Sequence, residues 1–277
     1  MTWKTTIAEQ RGTATTLLLA GLLLAGCASV PTTHVYRSTT GSVAYTRIGS
    51  GQPTVVLQAG LGDGKAAWAP LVSRLSPRYT VLAYDRPGYG DSADSTLPRD
   101  PCSVAVALHA LLHAEGLSPP YVLVGHSLGG LYQYAYAQLY PQEVAGLVLV
   151  DATHPRHWQH MQAEVPTSAH MVEVLRATRF SAVMRREFDQ QAECTDKLMA
   201  QAPLALPAKV LTRTDYDLYE RGAFERMVKV DEQDWLRLTG ARQVEPVAGS
   251  GHYIQRDKPE AVVAAIDALA AQAKAGR

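Results

Sequence analysis

From residue 43 onward, short apolar runs alternate with longer stretches whose apolar residues recur every three or four positions. The longer stretches predict helices at residues 66–75, 104–114, 128–140, 234–239 and 259–274. The short runs predict strands at residues 43–48, 54–58, 79–84, 121–124, 144–150, 209–212 and 244–247. Runs that are apolar throughout are typical of strands that are covered on both faces. Strand and helix in alternation predict an α/β fold with a doubly wound, mostly parallel sheet.

This alternation stops after Asp151 and resumes near residue 207. Residues 152–206 contain no clear strand and much sequence that is compatible with helices. A segment of this length between two core strands predicts a helical insertion. The expected organisation is therefore a core of residues 43–151 and 207–277 with a helical cap at residues 152–206.

The first 30 residues have the pattern of a targeting segment. A polar start that includes Lys4 precedes an uninterrupted apolar run at residues 17–26, which is shorter than the roughly 20 residues of a membrane span. Residues 24–27, Leu-Ala-Gly-Cys, resemble the lipobox of bacterial lipoproteins. The resemblance implies a signal peptide at residues 1–26, lipid attached to Cys27, and a tether over residues 27–42. The expected location is the bacterial envelope, with a lipid anchor in the outer membrane that faces the periplasm.

Composition narrows the range of functions and partners. The chain has 26 basic and 26 acidic residues, so it offers no basic excess for nucleic acid, and we expect none as a partner. No close Cys/His cluster has the spacing of zinc ligands, and we expect neither a metal nor a cofactor. Cys102 and Cys194 remain if Cys27 carries lipid. In an exported protein they can form a disulfide, which the sequence leaves open.

A nucleophile motif lies where the predicted strand at 121–124 meets the helix at 128–140. The sequence Gly125-His126-Ser127-Leu128-Gly129 is Gly-x-Ser-x-Gly between a strand and a helix. The serine at such a turn adopts a strained backbone that projects its hydroxyl, and the glycines allow the strand and the helix to approach closely. This context predicts that Ser127 is an activated nucleophile.

Two further segments make the chain resemble the α/β-hydrolase superfamily from about residue 43 to residue 270. They are the loop at residues 85–92, Asp-Arg-Pro-Gly-Tyr-Gly-Asp-Ser, and Gly251-His252 followed by Asp-Lys-Pro-Glu at residues 257–260. The resemblance implies that the cap lies between the sixth and seventh strands. It also implies oxyanion-hole N–H groups on Leu61 and Leu128. The serine at the turn argues against epoxide-hydrolase and dehalogenase chemistry, for which this superfamily uses an aspartate there.

The general base predicted from these motifs is His252, in the loop after the last strand. The acid that orients it is ambiguous. Asp151 follows the predicted strand at 144–150, which is the sixth strand in the superfamily. Asp215 and Asp217 follow the strand at 209–212, the superfamily's seventh, where Arg213 stands in place of the expected glycine. We favour Asp151 and keep Asp215 and Asp217 as alternatives.

These observations predict a serine hydrolase that acts through an acyl-enzyme on a small molecule with an acyl group, with a carboxylic ester as the leading substrate. Amides, thioesters and C–C bonds remain open, because the same triad serves them all. A ligand-binding envelope lipoprotein without catalysis is the alternative from another class. The sequence states neither the acyl size nor the oligomeric state.

Overall fold

The computed structural model describes residues 32–39 and 41–275. Eight strands form one sheet: β1 (Thr33–Ser38), β2 (Gly41–Ile48), β3 (Thr54–Gln58), β4 (Thr80–Tyr84), β5 (Tyr121–His126), β6 (Val144–Val150), β7 (Ala208–Arg213) and β8 (Val244–Val247). Their order is β1-β2-β4-β3-β5-β6-β7-β8. The first two pairings, β1 with β2 and β2 with β4, are antiparallel, and all later ones are parallel. The predicted α/β class and mostly parallel sheet are therefore confirmed.

The described residues also contain ten α-helices. They are α1 (Ala69–Leu75), α2 (Pro101–Ala114), α3 (Leu128–Leu139), α4 (His157–Glu164), α5 (Pro166–Thr178), α6 (Ala182–Gln190), α7 (Thr195–Met199), α8 (Ala223–Thr239), α9 (Ile254–Asp257) and α10 (Pro259–Ala275). Two short 3-10 helices lie at Lys65–Trp68 and Pro141–Glu143. Among the described residues, no helix is both long enough and apolar enough to cross a membrane.

Alternation along the strands divides the core into two layers. In β3, Val55 and Leu57 pack with α1 and α10, whereas Val56 faces the layer that contains α2, α3 and part of α8. Successive side chains of a strand point to opposite faces, so a sheet covered by helices on both sides needs strands that are apolar at every position. All five residues of β3 are buried.

The segment between β6 and β7 is helical and contains α4 to α7. Helix α8, which follows β7, packs against it: Met227 of α8 is buried in a cluster with Met161, Val165 and Ala169. A sulfur–sulfur bond joins Cys194, just before α7, to Cys102 in α2, with Cα atoms 6.3 Å apart. The disulfide that the sequence left open thus ties the inserted segment to the core.

Two expectations need correction. Residues 33–38, expected to belong to a tether, form β1, which pairs with β2 from Thr33↔Thr46 to Ser38↔Gly41. This edge strand is mostly exposed, so backbone hydrogen bonds rather than an apolar run hold it. The helix expected at 234–239 begins at Ala223. The expected signal peptide and Cys27 lie outside the described residues.

Candidate active site

The turn at Ser127 is strained in the way its sequence predicts. Ser127 has φ 52° and ψ −125°, a conformation that a residue with a side chain rarely adopts. The surrounding hydrogen bonds hold it: the Ser127 N–H donates to the Val150 carbonyl at 3.1 Å, and the Ser127 carbonyl accepts from Gly130 and Thr153 at 2.9 and 3.0 Å. The end of β6, the loop after it and the first turn of α3 thus hold this conformation in place.

Glycine is required on both sides of this serine because the backbones approach too closely for any side chain. A Cβ on Gly125 would lie 2.4 Å from the Gly129 carbonyl oxygen. A Cβ on Gly129 would lie 2.3 Å from the Gln58 carbonyl oxygen. The first contact sets the approach of β5 to α3, and the second sets the approach of α3 to the end of β3. The Ser127 hydroxyl oxygen is left 3.5 Å from Thr153 Oγ1.

His252 and Asp151 lie together beside this turn. His252 Nδ1 is 2.5 Å from Asp151 Oδ2, in a hydrogen bond between residues 101 positions apart. Asp151 ends β6 with φ 44°, and its N–H donates to the Leu211 carbonyl of β7 at 2.8 Å. Because parallel strands end at the same edge of the sheet, the Asp151 carboxylate after β6 lies next to the loop after β8 that contains His252.

The Asp151 carboxylate is held in its ionised form. Burial alone would raise its pKa, but the hydrogen bond with His252 and the charge of Arg213 bring the pKa of Asp151 below its ordinary value. Arg213 Nε lies 3.4 Å from Asp151 Oδ2, and the Arg213 N–H donates to Oδ1 at 3.3 Å. The arginine that replaces the expected glycine thus fills the space beside this carboxylate.

The two alternative acids are placed elsewhere. Asp215 and Asp217 are both exposed, and their carboxylates accept hydrogen bonds from Thr214 Oγ1 and Tyr219 OH at 3.0 Å each. The Asp215 backbone N–H donates to the Ser250 carbonyl at 3.0 Å. Their segment therefore supports the backbone of the His252 loop, and of the three acids only Asp151 has a hydrogen bond with His252 in the described structure.

The other histidine of the motif, His126, points away from the nucleophile. Its Nε2 donates to the His252 carbonyl oxygen at 2.9 Å, and the side chain is buried. Burial, reinforced by the nearby His252, lowers the pKa of His126 to about 3. His126 is therefore a neutral donor that helps to hold the His252 loop.

The loop with the proposed oxyanion donor Leu61 is fixed by a side chain that the sequence analysis did not single out. Arg86 Nη1 donates to the Ala59 carbonyl, and Arg86 Nη2 donates to the Gly60 carbonyl at 2.8 Å. Because the peptide is planar and trans, fixing the Gly60 carbonyl also fixes the opposite direction of the Leu61 N–H. Leu128 is the first residue of α3, so its N–H belongs to a helix N-terminus, which favours negative charge.

Arg86 also joins this loop to the cap. Its Nε and Nη2 donate to the two carboxylate oxygens of Glu187 in α6, at 2.8 Å each. Tyr89 OH donates to Glu187 Oε2 at 2.9 Å. The side chains of Arg86 and Glu187 are 2% and 0% exposed, so this is a fully buried ion pair. Nothing in the spacing of Arg86 and Glu187 along the chain indicates this pair.

Ser127, Asp151 and His252 line one cavity of about 600 Å³, to whose wall α8 also contributes. This volume is typical of a site for a small molecule. The aromatic part of its lining comes from Tyr216, Tyr219, Phe224, Trp235 and Tyr253. Its charged part is mostly acidic: Asp151, Asp215, Asp217, Glu220, Asp231, Glu232 and Asp257, against Arg213. Arg213 also forms an ion pair with Glu220 at 3.0 Å.

Comparisons with known proteins agree with this fold. The family described as alpha/beta hydrolase fold matches residues 53–257. YqjL of Bacillus subtilis is 33% identical over 105 residues, which are 38% of this chain and 42% of YqjL. RutD of Cronobacter sakazakii, named as a candidate carbamate hydrolase, is 40% identical over 103 residues, 36% of this chain and 38% of RutD. The chain therefore matches only about two fifths of the length of these curated relatives.

The solved structures extend the likeness over most of the chain. A candidate lipase from Acinetobacter baumannii AYE superposes with a TM-score of 0.68 at 17% identity, and the match covers 89% of this chain and 93% of the lipase. A membrane phospholipase A, described as a bacterial virulence factor, gives 0.65 at 21% identity and covers 88% and 87% of the two chains. At such identities the likeness concerns the fold.

Proposed function

The chain belongs to the alpha/beta hydrolase fold family, and we propose that this hydrolase uses Ser127, His252 and Asp151 to cleave carboxylic esters through an acyl-enzyme. The observation that carries the proposal is the hydrogen bond between His252 and the buried Asp151 in the cavity that Ser127 also lines. A strained serine at a strand–helix turn, an imidazole and an oriented carboxylate are the parts that acyl transfer requires.

In the proposed reaction, the Ser127 oxygen attacks the acyl carbon while His252 takes the hydroxyl proton. The carbonyl oxygen becomes an oxyanion, to which the N–H groups of Leu61 and Leu128 would donate. As the tetrahedral intermediate collapses, His252 gives its proton to the departing alcohol, and the acyl group stays on Ser127. Water then attacks the acyl carbon, His252 accepts its proton, and that proton returns to Ser127 as the carboxylic acid leaves. Asp151 remains ionised and keeps Nδ1–H of His252 in place.

The test is active-site labelling with a fluorophosphonate, which requires no choice of substrate. We expect an adduct on Ser127 that is mapped by mass spectrometry and that disappears in His252→Ala. Asp151→Asn should slow labelling strongly, whereas the matched change Asp215→Asn, at an exposed carboxylate, should not. Folded protein that is not labelled, or labelling that persists in His252→Ala, would overturn the triad.

A panel of acyl substrates then tests the bond type. We expect turnover of simple esters by the wild-type protein and none by Ser127→Ala. The carbamate and lipase names of the relatives suggest carbamates and longer-chain esters as the next members of the panel. Turnover of amides or thioesters but not of esters would contradict the ester assignment and leave the triad intact.

We propose further that the protein is a lipoprotein of the bacterial envelope. The apolar run at residues 17–26 and the lipobox-like sequence that ends at Cys27 support this, and the Cys102–Cys194 disulfide fits an oxidising compartment. Expression of the full-length chain in bacteria with a labelled fatty acid should give a membrane-bound, labelled protein. Cys27→Ala should lose the label and Ser29→Ala should keep it. An unlabelled wild-type chain would refute the anchor.

A further inference from the structure

Three histidines at the start of the cap face one carboxylate on α8. His160 Nδ1 lies 2.5 Å from Asp231 Oδ1, and His154 Nδ1 lies 3.6 Å from the same oxygen. His157 Nδ1 lies 3.0 Å from the other oxygen, Oδ2. The Asp231 side chain is only 5% exposed and that of His154 only 1%. A buried carboxylate is therefore surrounded by imidazoles contributed by a segment about 70 residues earlier in the chain.

The tautomer of His154 is fixed so that Nδ1 carries no proton and can become a ligand if it gives up its hydrogen bond from the Arg156 N–H. Its Nε2 is 2.9 Å from Asp234 Oδ2, so Nε2 carries the proton and donates to that carboxylate. Its Nδ1 accepts a hydrogen bond from the Arg156 N–H at 3.2 Å and is therefore unprotonated. A carboxylate that binds the far nitrogen of an imidazole is the usual support of a metal-ligating histidine.

We propose that His154 Nδ1, His160 Nδ1 and Asp231 Oδ1 bind a divalent transition-metal ion, for which zinc is the best fit. Each of the three residues offers a ligand atom within 4.8 Å of the other two, and both Nδ1 atoms lie within 3.6 Å of Asp231 Oδ1. Two imidazoles and one carboxylate form a donor set that zinc accepts, with a water as the fourth ligand. Asp231 and His157 line the cavity, which provides a path for the ion and space for that water. His157 would remain hydrogen-bonded to the carboxylate oxygen that is not a ligand.

Such an ion would link the cap to helix α8. His154 and His160 lie just before and within α4 of the cap, and Asp231 lies in α8, so the ion would join the two helices that pack together at the wall of the cavity. Binding would replace the hydrogen bond between His160 and this carboxylate, and the one that His154 Nδ1 accepts from the Arg156 N–H, by bonds to the metal. The site does not depend on the proposed esterase activity, because none of its ligands belongs to the triad.

A second cluster of the same residue types provides the control. His109 and His113, four residues apart on α2, place their Nε2 atoms 3.2 and 2.9 Å from Glu143 Oε1. Their side chains are 29% and 47% exposed. Glu143 is also held by Tyr136 OH at 2.7 Å. If zinc binds the chain through surface histidines alone, this is the cluster it would use.

The experiment uses the full-length protein, prepared without a histidine tag, stripped with a chelator and dialysed against Zn²⁺. We expect about one zinc per chain and a higher melting temperature with the metal than without it. Asp234→Asn, which weakens the support of His154 and also removes the exposed ion pair with Arg237, should weaken zinc binding by about 10- to 100-fold. His160→Gln and Asp231→Asn should weaken it further, while His113→Ala and His170→Ala should bind as the wild type does.

Replacing zinc by Co²⁺ gives a second measurement, because the visible spectrum of cobalt reports tetrahedral coordination by nitrogen and oxygen. That spectrum should be present in the wild type and absent in His160→Gln, whose fold is checked by circular dichroism. Substoichiometric zinc in the wild type would overturn the proposal. So would an unchanged affinity in a folded His160→Gln protein, or a loss of the zinc in His113→Ala instead.

Discussion

Of the contacts between the cap and the loop at residues 59–61, the buried ion pair between Arg86 and Glu187 should be the one whose loss lowers stability most. Glu187→Gln keeps the size of the side chain but removes its charge and one of its two acceptor oxygens. Both oxygens are in use, by Arg86 Nε and Nη2 at 2.8 Å and by Tyr89 OH at 2.9 Å. A second cation, Arg99, has its Nη1 3.7 Å from Glu187 Oε1. The substitution would therefore leave a guanidinium that is 2% exposed without its counter-charge.

Removing one partner of a buried ion pair costs about 3–5 kcal/mol, because the remaining charge stays desolvated. In a domain of this size each kcal/mol lowers the melting temperature by roughly 2–4 °C, so we expect a decrease of about 6–20 °C. The matched control is Asp189→Asn, two residues along the same helix. Asp189 forms an ion pair with Arg176, but its side chain is 44% exposed, so the change in stability should be small.

The double variant Arg86→Met with Glu187→Leu separates the charge from the geometry. Apolar replacement of a whole buried pair is often close to neutral for stability. Here it should recover only part of the loss, because the carbonyls of Ala59 and Gly60 would still lack the donor that Arg86 supplies. The esterase rate should stay low in the double variant, since the direction of the Leu61 N–H is no longer fixed.

The measurements are thermal and urea unfolding, both followed by circular dichroism, and kcat and KM on a simple ester. A melting temperature of Glu187→Gln within error of that of Asp189→Asn would refute the reasoning about the buried charge. A double variant with wild-type kcat would refute the role assigned to Arg86 in orienting the loop.

Three further predictions concern the proposed triad, the buried His126 and the cavity. Asp151→Asn should lower kcat by about 10³- to 10⁴-fold with little change in KM, because the imidazole loses its orientation, whereas steady-state kinetics should find Asp217→Asn unchanged. His126 has a folded pKa of about 3 against 6.5 unfolded, so the unfolded chain binds the extra proton and stability is lost as pH falls below 6.5. This loss is about 2 kcal/mol at pH 5, and His126→Gln, which keeps an N–H donor, should lose correspondingly less between pH 7.5 and pH 5 in urea titrations. Finally, the acidic lining predicts a lower kcat/KM for esters with an anionic acyl group than for neutral esters of equal size, with the difference shrinking as salt is added; equal values at low salt would contradict it.

Local pattern was sufficient for seven of the eight strands of the described residues, β2 to β8, and for the turn at Ser127. The strand–helix context alone predicted that the two glycines around Ser127 allow a close approach of backbones. The contacts at Gly125 and Gly129 show the crowding that requires them. Both features depend on residues that are close in sequence or on burial that repeats with the period of a strand. The edge strand β1 escaped detection because its exposed side chains follow no apolar pattern.

The choice of acid shows where sequence reasoning stops. Asp151 and His252 are 101 positions apart, and their contact depends on which strands neighbour one another and on the register of β6 and β7. Arg213 had suggested only a departure from the usual pattern. In the structure Arg213 lies against Asp151, and no feature of the sequence around Arg213 predicts this contact.

The length of helix α8 was underestimated, although its sequence has helical spacing from Phe224 onward. Phe224, Met227, Asp231, Trp235 and Leu238 recur at helical spacing, but an aspartate in the middle of the stripe broke the apolar pattern. The structure explains that aspartate: the histidines of α4 lie against it. A polar residue on a buried stripe therefore marked a contact between helices rather than the end of a helix.

Three of the contacts that hold the inserted segment to the core bear on how the cavity admits a substrate. Glu187 in α6 is paired with Arg86, Cys194 before α7 is bonded to Cys102, and the α4 histidines face Asp231. Each attachment joins a different cap helix to a different core element, so the cap cannot swing open without breaking a buried or covalent contact. The loop between β7 and α8 also lines the cavity, and its Leu218 and Tyr219 are 84% and 65% exposed, the highest values among the exposed large apolar side chains of the described residues. Since an exposed loop moves at lower cost than a pinned helix, access to Ser127 is better explained by this loop than by a hinged cap.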